Sequence, residues 1–124
     1  MQRIFLIGLA GLLGTLGRYA LSGLIACRFG ETFPTGTLVV NIIGCFLAGI
    51  LFYLLQERFQ INPMARTVVM IGFLGGFTTF SSFGLQTFTL IRDGEFWFAA
   101  VNVAGSNVLG LLMVWAGYSL GKVF

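Results

Sequence analysis

The sequence predicts an all-α membrane protein with four transmembrane helices, the third of them broken. Three observations carry that reading. Hydrophobic residues make up 57% of the 124 residues and charged residues only 9%, with a mean hydropathy of +0.96, which leaves too little polar surface to wrap a soluble core. Charges and turn formers gather in three places, dividing the chain into apolar stretches each long enough to cross ~30 Å of hydrocarbon at ~1.5 Å per residue. Finally, the run Gly72-Phe73-Leu74-Gly75-Gly76-Phe77-Thr78-Thr79-Phe80-Ser81-Ser82-Phe83 interrupts the third stretch with glycines and then hydroxyls. An interrupted helix exposes backbone N–H and C=O groups, which lipid does not tolerate, so the interruption must be buried in protein or line a cavity. It is the leading candidate for a functional site.

The spans read as roughly Ile4–Ala26, Thr35–Gln56, Ala65–Ile91 and Phe96–Gly121, and residues 1–124 form a single transmembrane domain. Arg28 and Glu31 before Pro34 end the first, Glu57, Arg58 and Asn62-Pro63 end the second, and Arg92-Asp93-Gly94-Glu95 ends the third. A cleaved leader is a weak reading of the first span, because its apolar run exceeds a signal core and contains Arg18. The third span exceeds what a bilayer needs; its Gly75-Gly76 pair, with about ten residues on each side, fits two half-helices.

Small residues mark close helix contacts. Gly8, Gly11, Gly14 and Gly17 recur in the first span, and Gly44/Ala48 and Cys45/Gly49 make small-xxx-small pairs in the second. Asn41 lies one turn from that pair and needs several hydrogen-bond partners, either as glue between helices or as the wall of a polar path. Arg18 is the one charge well inside a span. It either snorkels to the surface or serves a function, with Thr15 three residues before it and Ser22 four residues after it, where the three could form one polar stripe.

Several chemistries lack raw material. There is no histidine, and Cys27 and Cys45 lie far apart, so no metal cluster or Cys/His nucleophile is available and the cysteines read as packing residues. The four acidic residues all fall in predicted loops, which disfavours a proton relay through the membrane. Charge bias is weak: Arg3, Arg58, Arg66 and Lys122 share one side, and Arg28 and Arg92 the other, joined by Arg18 if it snorkels that way. An ordinary orientation with both termini inside is one reading. The other is dual topology, in which an inverted second copy supplies the symmetry that a chain without internal repeats lacks.

Past the glycines, Phe80 and Phe83 share a helix face, and Thr79, Ser82 and Gln86 make an adjacent polar one. A helix N-terminus offers free N–H donors and partial positive charge, and phenyl edges are the positive part of the ring, so the combination suits a small anion. Without further information, phenylalanines at this spacing are also ordinary packing residues.

The run Gly75-Gly76-Phe77-Thr78-Thr79-Phe80-Ser81-Ser82-Phe83, with Gly36-Thr37-Leu38-Val39-Val40-Asn41 and Gly14-Thr15-Leu16-Gly17-Arg18 before it, closely resembles the Fluc (CrcB) fluoride-specific ion channels over the whole chain. The resemblance implies a non-enzymatic, multi-pass protein of the bacterial inner membrane that exports fluoride passively. It further implies an antiparallel, dual-topology homodimer with two pores, bound to fluoride, lipid and an inverted second copy, and to no nucleic acid. Phe80 and Phe83 match the ring pair whose edges contact fluoride, and Asn41 matches the asparagine that helps build the pore. Ser81 and Ser82 match the hydroxyls of the polar track, Arg18 an arginine near the vestibule, and Asn107 a pore-facing position on the fourth helix. Gly75 and Thr78 match positions whose carbonyls, two from each subunit, hold a central structural Na+. Gln86 stands where many relatives carry glutamate, and Val103 and Leu111 stand where some carry Tyr and Ser; the thinner polar lining of helix four leaves room for a homologous partner subunit.

Two other classes compete with a channel. A small multidrug-type transporter is also a short four-helix dimer, but it needs a carboxylate in the first span, and none is there. A scaffold subunit has no use for an interrupted third helix.

Overall fold

The computed structural model describes residues 1–124, and all of its regular structure is helical. Helix α1 is Gln2–Phe29. Helix α2 is Thr35–Phe52 and continues through a wider π-helical turn, Tyr53–Arg58. The third span runs from Pro63 to Arg92 in four pieces: α3, Pro63–Thr67; a π-helical stretch, Val68–Phe73; α4, Leu74–Phe77; and α5, Phe80–Arg92. Helix α6 is Phe96–Gly121. Four helical stretches are therefore long and apolar enough to span a membrane.

The span ends follow local chemistry. Gly30 closes α1 with φ of 78°, a left-handed conformation that glycine adopts without steric cost. Asn62 caps α3, its side chain accepting from the Ala65 N–H, and Pro63 follows at a first-turn position where a missing N–H costs nothing. Gly94, with φ of 80°, turns the chain between α5 and α6.

Packing relies on backbone contact instead of large side chains. A Cβ on Gly14 would collide with the Phe73 carbonyl, which seats α1 directly on the third span. Likewise a Cβ on Gly49 would meet the Val114 carbonyl, and one on Gly117 the Phe46 carbonyl, so α2 and α6 are pressed together from both sides. Such contacts replace the hydrophobic driving force that is missing inside lipid. The interior is correspondingly thin: 15 of 124 residues are buried, while Leu12, Leu16, Leu85, Phe88, Leu111, Trp97 and Trp115 are all exposed. That apolar surface suits contact with lipid or another hydrophobic chain rather than with water.

The ends of α1 and α6 meet the helical residues that flank the turn between the second and third spans. Arg3 donates to the Thr67 hydroxyl, and the Tyr118 hydroxyl donates to the Glu57 carboxylate at 3.1 Å, with the Lys122 ammonium 4.5 Å from the Tyr118 ring centre. Tyr118 thus links Glu57 and Lys122 at one end of the bundle.

Candidate functional site

The glycines of the third span do not form the turn that their propensity suggested. Gly75 and Gly76 are helical within α4, and the two residues that leave the helix are Thr78 (φ −87°, ψ 157°) and Thr79 (φ −150°, ψ 117°). Gly76 has a packing reason instead: a Cβ there would press on the Gly11 carbonyl and the Thr15 hydroxyl of α1.

Asn41 holds the extended pair in place. Its Nδ2 donates to the Thr79 carbonyl at 3.0 Å, and its Oδ1 accepts from the Thr79 N–H at 2.8 Å, so both ends of the amide are committed to one residue. In an unbroken helix that N–H would donate to the Gly75 carbonyl. Asn41 therefore competes with the helix for the backbone and leaves the Gly75 carbonyl without its helical donor. Gly44, one turn along α2, is the reason the chain comes this close, since a Cβ there would overlap the Thr78 methyl.

Thr79 then starts the next helix. Its hydroxyl accepts from the Ser82 N–H at 3.2 Å and donates to the Ser82 hydroxyl at 3.1 Å, an N-cap that satisfies one of the orphan donors of α5. Ser81 is exposed and lies 3.5 Å from the same Thr79 hydroxyl. Phe80 and Phe83 do share a face, with ring centres 5.4 Å apart and planes tilted by 45°. Phe80 is 82% exposed.

An open cavity of about 440 Å³ is lined by Asn41, Gly75, Thr78, Thr79, Phe80, Phe83 and Asn107, among others. Asn107 spends one N–H on its own helix, donating to the Val103 carbonyl at 2.7 Å. Ser106 also lines this cavity, and its hydroxyl is buried without a hydrogen-bond partner. Sequence reasoning passed over Ser106, because a serine inside an apolar helix usually bonds back to its own carbonyls and gives no separate signal.

Gln86 belongs elsewhere. It lines a second cavity of about 740 Å³ with Tyr19, Ser22, Thr35, Thr37 and Thr89, and the carboxylates of Glu31, Asp93 and Glu95 lie along the same lining. Its Oε1 and the Thr35 hydroxyl are buried and unpartnered. Arg18 lines neither cavity; its Nε donates to the Gly76 carbonyl at 3.1 Å. Thr15 and Arg18 both meet Gly76 from α1, whereas the Ser22 hydroxyl donates to the Tyr19 carbonyl of its own helix. Sequence reasoning also missed Asn102, which is buried on α6 and donates to the Thr87 hydroxyl at 2.9 Å, clamping α5 to α6.

The donor set at the turn fits a monovalent cation. Thr78 exits in extended conformation, so its carbonyl and that of Gly75 both fall outside the helical ladder, and no carboxylate stands beside them. Neutral carbonyls with free lone pairs suit a hard cation of low charge.

Residues 5–118 match the family model described as CrcB-like protein, Camphor Resistance (CrcB). The chain belongs to the CrcB family. It is 52% identical over 120 residues to a protein of Opitutus terrae named fluoride-specific ion channel FluC, a match covering 95% of this chain and 91% of that one. A protein of the same name from Solibacter usitatus is 47% identical over 98% of this chain and 99% of its own. Another, from Nitrosococcus oceani, is 45% identical over 98% of each. The CrcB relatives are named as ion channels, which conduct and do not catalyse.

Proposed function

We propose that this CrcB protein is a fluoride-selective passive channel that lets fluoride out of the cytoplasm across the bacterial inner membrane. The observation that carries the reading is the cavity at Thr78 and Thr79, which two phenylalanine rings, an asparagine and a helix start line together. Fluoride holds its water tightly, so a selective path must replace that water with donors while keeping the passage narrow. Asn107, on the cavity lining, and Ser81 and Ser82, which follow Phe80 on α5 but line neither cavity of the single chain, are the amide and hydroxyl donors of this path, and the ring edges of Phe80 and Phe83 bound it. Asn41 works differently: with both amide ends on Thr79, it shapes the path rather than solvating the ion. Gln86 receives the ion in the larger chamber beyond, where the orphaned Thr35 hydroxyl is a further donor.

Two chains in opposite orientation complete the channel, giving two pores per dimer, with identical copies favoured over a homologous partner subunit. The thin interior of one chain and the weak difference in basic residues between its ends support that arrangement. Structural Na+ held at the dimer centre by the Gly75 and Thr78 carbonyls of both chains would brace the two turns against each other. No energy source is needed: an inside-negative potential of about 100 mV is worth ~2.3 kcal/mol per charge, a roughly 50-fold outward bias for an anion.

The test is efflux from proteoliposomes containing the purified chain alone, read by a fluoride electrode with potassium and valinomycin carrying the counter-charge. Fluoride should leave promptly and chloride should stay. Efflux of both at similar rates, or of neither, rejects the proposal.

A further inference from the structure

We infer that Arg18 is a positioning residue: its guanidinium closes the C-terminal end of the first half of the third span and so holds open the turn at Thr78 and Thr79. Three observations converge on this. The Gly76 carbonyl belongs to the last turn of α4, where helical acceptors have lost their donors, and the Arg18 Nε supplies one from α1 across 58 residues of sequence. The bond is half-buried, and Arg18 has no carboxylate partner; the one ion pair in the chain joins Arg92 to Asp93. A cation at a helix C-terminus is also favoured by the axial dipole.

The position of Arg18 argues against an alternative in which its charge gathers anions. It lies along neither the Phe80 cavity nor the Gln86 chamber. It approaches the turn from behind, on the side where Gly11, Gly14 and Thr15 press α1 against the third span. Asn41 grips Thr79 from α2, and Arg18 grips Gly76 from α1. One bond falls just before the extended pair and the other on its second residue, and between them they keep the third span from closing into one continuous helix.

The side-chain geometry permits a clean test. The bonded atom is Nε, and glutamine carries its amide nitrogen at the same distance along the chain, so Arg18→Gln keeps the donor and discards the charge. Arg18→Lys does the opposite, placing a methylene where Nε was, and Arg18→Met keeps neither. The full chain, reconstituted in liposomes, is examined by amide hydrogen exchange over residues 76–83 and by fluoride efflux. Because a bond from a charged donor is lost, Arg18→Lys and Arg18→Met should exchange roughly tenfold faster than the wild type in this segment. Arg18→Gln should stay closer to the wild type than either, and its efflux should exceed theirs by about tenfold.

The reverse order, with Arg18→Lys protected and conducting while Arg18→Gln is neither, would assign Arg18 to charge and overturn the proposal. Equal behaviour of all three variants, whether protected or unprotected, overturns it as well, since only a bond through the Nε position predicts rescue by glutamine alone. The efflux arm rests on the channel reading, whereas the exchange arm does not. A wild-type chain that passes no fluoride but shows the predicted exchange order would reject the channel and leave the role of Arg18 intact.

Discussion

Replacing Asn41 with alanine tests how the turn is held. The substitution removes both bonds to Thr79, at 3.0 and 2.8 Å, and leaves a backbone N–H and a C=O unpaired in a half-buried place. Each such group costs about 1–3 kcal/mol, so the turn loses about 2–6 kcal/mol. The competing state is a straightened third span, in which the Thr79 N–H returns to the Gly75 carbonyl and the loss is partly recovered. At the lower bound, ~2 kcal/mol shifts the balance between the two by roughly 30-fold. Fluoride efflux per protein should therefore fall severalfold, by up to about 30-fold at this lower bound, while the chain still inserts and purifies, because Asn41 makes no other side-chain bond. The assay is electrode-monitored efflux, with gel filtration in detergent to establish that assembly is unchanged. Efflux within about twofold of wild type would show that Asn41 does not hold the conducting turn, and the argument built on its two bonds would fail.

The remaining expectations concern separate parts of the molecule. Phe80→Ile and Phe83→Ile should each cut fluoride flux sharply with assembly intact, and wild-type flux from both would remove the rings from the pathway. Thr79→Ala loses the α5 cap and should lower thermal stability by about 1 kcal/mol, read as a small downward shift in the melting transition; an unchanged transition contradicts the cap assignment. Gly117→Val drives a side chain into the Phe46 carbonyl and should prevent a stable α2–α6 pair, so correctly folded Gly117→Val protein would refute the backbone-contact account of that interface. Tags at the C-terminus should be found on both sides of the membrane, and uniform labelling on one side in functional protein would exclude dual topology.

Much of this architecture was legible because hydropathy and turn chemistry act locally. The fourth span runs from Phe96 to Gly121 as read, and the first, second and third exceed their expected bounds by one to three residues at any end that differs. The location of the turn was less legible. Gly75-Gly76 pointed to itself because glycine weakens a helix by about 1 kcal/mol, but that cost is smaller than what tertiary contact supplies. Gly76 stays helical against α1, and the chain turns two residues later because Asn41, on a different helix, outcompetes the ladder for the Thr79 backbone. No pattern within the third span records the reach of Asn41.

The site divides in the same way. Phe80 and Phe83 were placed on one face by their spacing alone, and the structure puts their rings in contact. Gln86 was grouped with Thr79 and Ser82 by helical spacing, yet it faces a different chamber, because the C-terminal part of α1 and the Thr35 turn pack around it there. Arg18 was visible as an anomaly in an apolar helix, and only the tertiary fold shows that its partner is a carbonyl rather than a carboxylate.

The central claim is that this chain by itself forms a passive, fluoride-selective conductor. The most direct measurement is the reversal potential of purified chain in a planar bilayer with a tenfold fluoride gradient and symmetric chloride. A fluoride-selective channel should reverse near 59 mV, the limit for a singly charged ion, with no dependence on a sodium or proton gradient. A reversal potential near zero, or one that moves with either cation gradient, would contradict the account.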